Sequence, residues 1–374
     1  MSLPNVNINF SNGSLGTVIP PADGVCAMAI KFDSVATASG WQLFRSYAEV
    51  LAAADYPTDE TDTGMLEVKA FFDKGGTKLY LKCLATTATH TAISTAEMDN
   101  LYNASNGEVR TLGVMLTVAT VGEISYAYIA AMQAAADYMR NTYRAPLQVI
   151  VASSGTANAA IALTNDCPDV SLVVGQTNPN TAKFISSIGA LLGRIASTDV
   201  QVNPGRVSDG GIADAAYDVH SNALLTNSQA ENYNDRSFIT YRTFAGKGGY
   251  YISDDPTMTA ATSDYHSFAR RRTANKAFRV ANDVLVNRIN SEVETSEGKI
   301  LPVVAKGWEA EVESAIRANM TAYGNIVDVN GDGGVKCTID PEWNVMATST
   351  VKATLQIRPY GYAKFINVEL GFML

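Results

Sequence analysis

TLGVMLTVATVGEISYAYIAAMQAAADYMRNTYRAPLQVIVA, residues 111–152, is the stretch that decides the fold class. Residues 111–119 and 147–152 are uncharged and largely apolar, which suits strands buried on both faces, and the Ala-rich residues 124–141 between them read as a helix. The alternation continues downstream with a helix at 157–163, a strand at 170–175 and a helix at 182–196. In that last helix Gly189 and Gly193, four residues apart, permit close backbone packing. Upstream, a helix at 66–72 runs through Gly75-Gly76 into a strand at 78–84. Before it Leu43, Phe44, Tyr47, Val50 and Leu51 recur at helical spacing over 41–54, closed by the acidic loop 55–64. Apolar strands separated by helices belong to a parallel sheet covered by helices, so the expected class is α/β.

Beyond this core, residues 238–244 and 250–253 flank a Gly-rich turn and predict a hairpin. A long helix is expected over 265–293, with Phe278, Ala281, Leu285 and Ile289 on one stripe. Arg270, Arg271, Arg272, Lys276 and Arg279 surround that stripe, and a second helix at 305–320 carries Trp308, Val312 and Ile316. Three stretches alternate with strand periodicity: Val6, Ile8 and Phe10; Val351, Ala353, Leu355 and Ile357; and Ile366, Val368, Leu370 and Phe372. A strand at the extremity of a chain leaves one backbone edge unpaired, so these stretches ask for a partner edge, either in the chain's own sheet or on a neighbouring copy.

Composition excludes several classes. An apolar content of 47% over 374 residues supports a packed core and not disorder. The formal charge of −9 disfavours a phosphate-backbone partner, so no nucleic acid is expected. No basic stretch followed by an apolar block opens the sequence, and the most apolar long stretch is broken by Gly122 and Glu123, so neither secretion nor a membrane span is expected. Cys26, Cys83, Cys167 and Cys337 lie far apart and read as buried thiols, with no zinc or disulfide pattern.

The chemical signatures are equally sparse. There is no phosphate-binding loop, dinucleotide turn, zinc-protease helix or serine-hydrolase elbow, and His90, His220 and His266 fall in separate regions. Residues 328–333, DVNGDG, match the first half of a calcium loop. The ninth and twelfth positions hold Lys336 and Ile339, so the stretch reads as a turn. No catalytic residue, metal or cofactor is expected. Arg270, Arg271 and Arg272 read either as a solvated helix face or as a docking face for an acidic partner.

Three blocks occur in an order that resembles contractile tail sheath proteins, the subunits that encase the tail tube of contractile phages and related injection systems. They are LEVKAFFDKGGTKLYL at 66–81, ITYRTFAGKGGYYIS at 239–253 followed by Asp264-Tyr265 and Arg270-Arg271-Arg272, and LQIRPYGYAKFI at 355–366. Asp73-Lys74 stands where that family has Asn before the glycines, and residues 6–10 lack its usual opening motif, which suggests a divergent branch. Residues 86–237 carry no matching motif.

The resemblance implies a sheath-type α/β core with an alternating strand–helix middle domain and β-strand arms at both termini. The expected division is an N-terminal linker arm at 1–22, sheath core at 23–86, a middle α/β domain at 87–236, further core at 237–350 and a C-terminal arm at 351–374. It implies a subunit that polymerises helically around a tail tube and contracts to drive it through an envelope, with itself, the tail tube protein, and baseplate and tail terminator proteins as partners. The implied location is the host cytoplasm during assembly and then the virion tail or injection particle. Val6, Ile8, Phe10, Leu355, Ile357, Ile366, Val368 and Leu370 would be the inter-subunit arm residues, and Arg270, Arg271 and Arg272 the tube or subunit docking residues. The competing class is an α/β enzyme with a flavodoxin-like or Rossmann-like domain.

Overall fold

A computed structural model describes residues 23–33, 40–116, 126–153, 166–178, 185–219 and 221–372. The stretch Val6, Ile8 and Phe10, the glycine-containing connector after it and the helix expected at 157–163 lie outside the described residues.

The elements run β1 (Cys26–Lys31), β2 (Gln42–Phe44), α1 (Tyr47–Leu51), α2 (Thr63–Asp73), β3 (Leu79–Cys83), α3 (Thr95–Ser105), β4 (Thr111–Leu116), α4 (Tyr126–Tyr143), β5 (Gln148–Ala152), β6 (Val170–Val173) and α5 (Gly189–Ser197). The chain continues with α6 (Asn227–Asn234), β7 (Tyr241–Arg242), β8 (Tyr251–Ile252), α7 (Phe268–Leu285), β9 (Thr295–Ser296), β10 (Lys299–Ile300), α8 (Pro302–Ile316), β11 (Val335–Ile339), α9 (Val345–Thr348) and β12 (Ala353–Ile357). Six strands form one sheet in the order β2-β3-β1-β4-β5-β6, parallel except for β2 at one edge. The inner strands are buried on both faces, which is why they are apolar without alternation.

Several expectations change. The run Cys26-Ala27-Met28-Ala29-Ile30-Lys31 forms β1, an interior strand that the sequence reading passed over. The 41–54 helix is corrected to an edge strand, β2, paired antiparallel with β3, followed by a five-residue helix capped by Ser46. A short apolar run fits both periods, and the free edge of β3 selects the strand. The boundary expected at 86/87 crosses this sheet, and the one at 236/237 crosses the same core, where the Ile239 N–H donates to the Leu172 carbonyl at 2.9 Å. One hydrophobic core runs from Val25 to Phe268; a second, between α7, α8 and the β11–β12 hairpin, holds Ala277, Ala281, Val312, Ile316, Val335 and Cys337.

Helix α5 ties these layers together. It is apolar nearly all round, and both its ends meet charge: Glu67 of α2 accepts the Ile188 and Gly189 N–H groups at 2.8 and 2.6 Å, and Arg272 donates to the Ile195 carbonyl at 3.0 Å. Burial pushes the Glu67 carboxyl up, against the lowering by these backbone donors. Gly193 sits against α2, where an added Cβ would come within 2.3 Å of the Phe71 carbonyl oxygen. Gly193→Ala is therefore expected to destabilise by roughly 1–3 kcal/mol through overpacking, read as a lower urea midpoint; an unchanged midpoint would mean that the two helices separate freely.

Candidate assembly site

β11 and β12 pair antiparallel, with Val335 opposite Ile357, Cys337 opposite Leu355 and Ile339 opposite Ala353. Arg358 N–H donates to the Gly334 carbonyl at 2.8 Å and Asp340 N–H to the Lys352 carbonyl at 2.9 Å, so even-numbered residues make the ladder and the backbone groups of odd-numbered ones point outward. The side chains of Val335, Cys337 and Ile339 go inward, and Leu355 and Ile357 pack beside them on the second core. Leu355 and Ile357 therefore bind the chain's own body. Their assignment as arm residues is corrected: β11 supplies the hydrogen bonds that the sequence reading had assigned to another molecule.

The next residues form a tether. Arg358 pairs with Asp332 at 2.7 Å, the Tyr362 hydroxyl donates to the Gln201 carbonyl at 2.7 Å, and Lys364 reaches Asp254 at 2.5 Å. Past Lys364 the contacts stop. Phe365, Ile366, Val368, Leu370 and Phe372 are between 78% and 104% exposed, and no backbone hydrogen bond is found for 365–372 among the described residues. Burying each such side chain is worth about 1.5–3 kcal/mol, so a surface that covered this segment would gain several such contributions. Ile366, Val368, Leu370 and Phe372 recur at every second position, the spacing that would set them on one face of a strand, and no strand is formed there.

The arginine cluster divides. Arg271 makes a two-pronged pair with Asp169 at 2.6 and 2.8 Å, and Arg272 is 4% exposed and spends its guanidinium on the carbonyls of Ile195, Thr198, Asp199 and Asp23. Both fasten α7 to the sheet layer, which corrects their assignment as docking residues. Arg270 is half-buried over the Tyr362 ring, at the root of the tether. Sequence reading missed the cause because Asp169, 1% exposed, carries no local signal.

Between the tether and the body lies a cavity of about 1360 Å³, walled by Asn203, Arg206, Glu231, Arg242, Asp254 and residues 360–366. Ser228 and Ser253 also line it, but among the described residues neither hydroxyl is hydrogen-bonded to a carboxylate or imidazole. Burial pushes the Cys26 thiol up to about 12 and Cys83 and Cys167 up to about 11, so none is an activated nucleophile. The His90 ring lies tilted beside that of Tyr128, His266 bonds the Thr259 carbonyl, and His220 lies outside the described residues. Among the described residues no cluster of His, Cys, Asp and Glu could hold a metal ion, and no helix is long and apolar enough to cross a membrane. In the 328–333 turn, Asp328 accepts the Gly333 N–H and Asp332 those of Val329 and Gly334, so the acidic oxygens serve the turn itself.

Beside the tether, Asp255 accepts from Ser267, Ala269 and Asn203, and burial together with the charge of Asp254 pushes its carboxyl up to about 7. A carboxyl raised in the folded state binds its proton before the unfolded chain does, so its contribution to stability grows as pH falls from about 7 towards 4 and is lost as pH rises through 7. His266, lowered by burial, works in the opposite direction below 6.5. Comparing parent with Asp255→Asn isolates the carboxyl: the parent should gain on the variant as pH drops through that window. A constant difference in urea midpoint would refute the assignment.

The sequence matches the family models described as DUF2586, N-terminal domain, over residues 3–256 and DUF2586, C-terminal domain, over 264–374. No curated protein matches. Among solved structures, the contracted helical sheath of the anti-feeding prophage superposes with a TM-score of 0.69 at 15% identity, covering 99% of each chain. The contracted sheath complex of an extracellular contractile injection system, PVC, gives 0.59 at 15% identity, covering 99% of this chain and 98% of the other. A sheath tail protein of Listeria innocua gives 0.54 at 9% identity, with 84% and 88% covered. The α/β architecture described above is thus that of contractile sheath subunits.

Proposed function

Because this chain belongs to the DUF2586 family and has the fold of contractile sheath subunits, we propose that it is a structural sheath protein that polymerises helically around a tail tube. One observation carries the reading: residues 365–372 present an alternating apolar face and an unpaired backbone, while the β11–β12 hairpin has an outward edge on β12. Strand addition satisfies both at once, with main-chain hydrogen bonds setting register and Ile366, Val368 and Leu370 buried against the recipient. Val6, Ile8 and Phe10 are proposed as a second arm.

Contraction is then mechanical. Bodies held by strands and connected by tethers rotate and slide into a shorter, wider packing, and a difference of a few kcal/mol per subunit adds over many linked copies. No catalytic step is required. Tube, baseplate and terminator proteins complete the proposed partners, with the host cytoplasm as the site of assembly and a phage tail or injection particle as the destination. The test is negative-stain imaging of the purified chain with and without its tube protein. Hollow helical polymers are expected; a stable monomer under both conditions, with 365–372 folded onto its own body, refutes the reading.

A further inference from the structure

The two outward edges of the β11–β12 hairpin are not equivalent. On β12 the outward backbone groups of Ala353, Leu355 and Ile357 meet no hydrogen-bond partner among the described residues. On β11 the outward N–H groups of Cys337 and Ile339 are already spent: they donate to Glu313 at 2.9 Å and to Glu309 at 2.8 Å. Both carboxylates stand one turn apart on α8, the helix that packs beneath β11. Their spacing along the helix matches the two-residue spacing of N–H groups along a strand edge, about 6–7 Å in each case.

The carboxylates are themselves held in place. Glu309 is 6% exposed and takes Lys306 at 2.6 Å, and Glu313 takes Arg317 at 3.6 Å. Two acceptors at the spacing of strand carbonyls imitate a paired strand without being one. They set charged side chains along the edge, a device that discourages pairing with another chain.

Taking the strand-addition reading as its premise, we infer that Glu309 and Glu313 are edge guards that close β11 in the free subunit and direct residues 365–372 of a second copy to the β12 edge. A hairpin with two open edges would accept strands on either side and grow branched, tube-independent aggregates; one closed edge makes addition one-sided. An incoming strand on β11 would have to displace two charge-assisted hydrogen bonds and leave both carboxylates without their backbone donors, whereas β12 offers its groups free.

Cysteine pairs placed on the outer, exposed faces of the strands test this in the full chain. Copies bearing Asn367→Cys or Glu369→Cys are mixed with copies bearing either Gln356→Cys on β12 or Lys336→Cys on β11, assembled and oxidised. Disulfide-linked dimers through position 356 and none through 336 are expected. Dimers through 336 with none through 356 overturn the edge choice while keeping strand addition. Intact polymers with dimers through neither position overturn strand addition itself.

The guards are tested separately by Glu309→Ala/Glu313→Ala, which should gain dimers through 336 and form polymers without tube protein. A folded double variant that assembles and cross-links as the parent does overturns the guard role. Should that variant fail to fold, hydrogen exchange on the parent decides: the Cys337 and Ile339 amides should exchange at least 10-fold slower than the exposed β12-edge amides. Equal rates overturn the closed edge.

Discussion

Val368→Asp together with Leu370→Asp is expected to abolish polymers at concentrations where the parent assembles fully, while the subunit remains folded with its thermal midpoint unchanged. Both side chains are nearly free of the body, 80% and 97% exposed, so a charge there costs the isolated subunit no more than the ~0.5 kcal/mol typical of surface changes. In the assembly the same positions would be buried beside a recipient sheet, where an unpaired carboxylate costs several kcal/mol per site. Cutting the chain after Lys364 should have the same effect. Cutting after Tyr360 should in addition loosen the body, because Tyr362 and Lys364 hold Gln201 and Asp254. Electron micrographs and a melting curve on the same samples give the answer, and intact sheath-like polymers from the double-Asp variant would remove the arm.

Asp169→Ala is expected to cost roughly 3–5 kcal/mol, because it strands Arg271 and Arg140 beside a buried site. The thermal midpoint should fall by about 4–6 °C. Burial pushes the Asp169 carboxyl up, but Arg271 and Arg140 outweigh it and hold the group below the ordinary carboxylate range. The stability it supplies is accordingly present above the unfolded carboxylate pKa and lost as pH falls through the depressed folded one. Arg271→Ala should cost less than the sum suggests once Asp169 is already removed, since the two share one interaction. Additive losses in that double-mutant cycle would show that Arg271 has its main partner elsewhere, which would reopen it as a docking residue.

Both predictions turn on features that the sequence made legible to different degrees. The strands β4, β5 and β6 and the helices α4 and α5 could be read directly, as could the close approach at Gly189 and Gly193, because burial on both faces and helix–helix contact leave a local pattern. The order of strands could not: β1 stands between β3 and β4, and its short apolar run does not say which neighbours it will find. The arginines show the same limit. Three consecutive guanidiniums on a helix look like a surface, and what draws Arg271 and Arg272 inward is Asp169, 102 residues away from Arg271, and the carbonyls at the end of α5.

The sequence by itself determined periodicity: an α/β body, amphipathic α7 and α8, and two alternating stretches at 351–357 and 366–372. Those follow from side chains a few residues apart, whose faces are fixed by backbone geometry alone. Only the tertiary structure decided which of the two stretches stays at home. The stretch containing Leu355 and Ile357 finds β11 as partner and the second core as cover, and the stretch containing Ile366, Val368 and Leu370 finds neither. Identical alternation thus serves a closed hairpin in one case and an unpaired strand in the other, because pairing depends on whether another backbone edge lies within reach, and distance in space is not encoded in period.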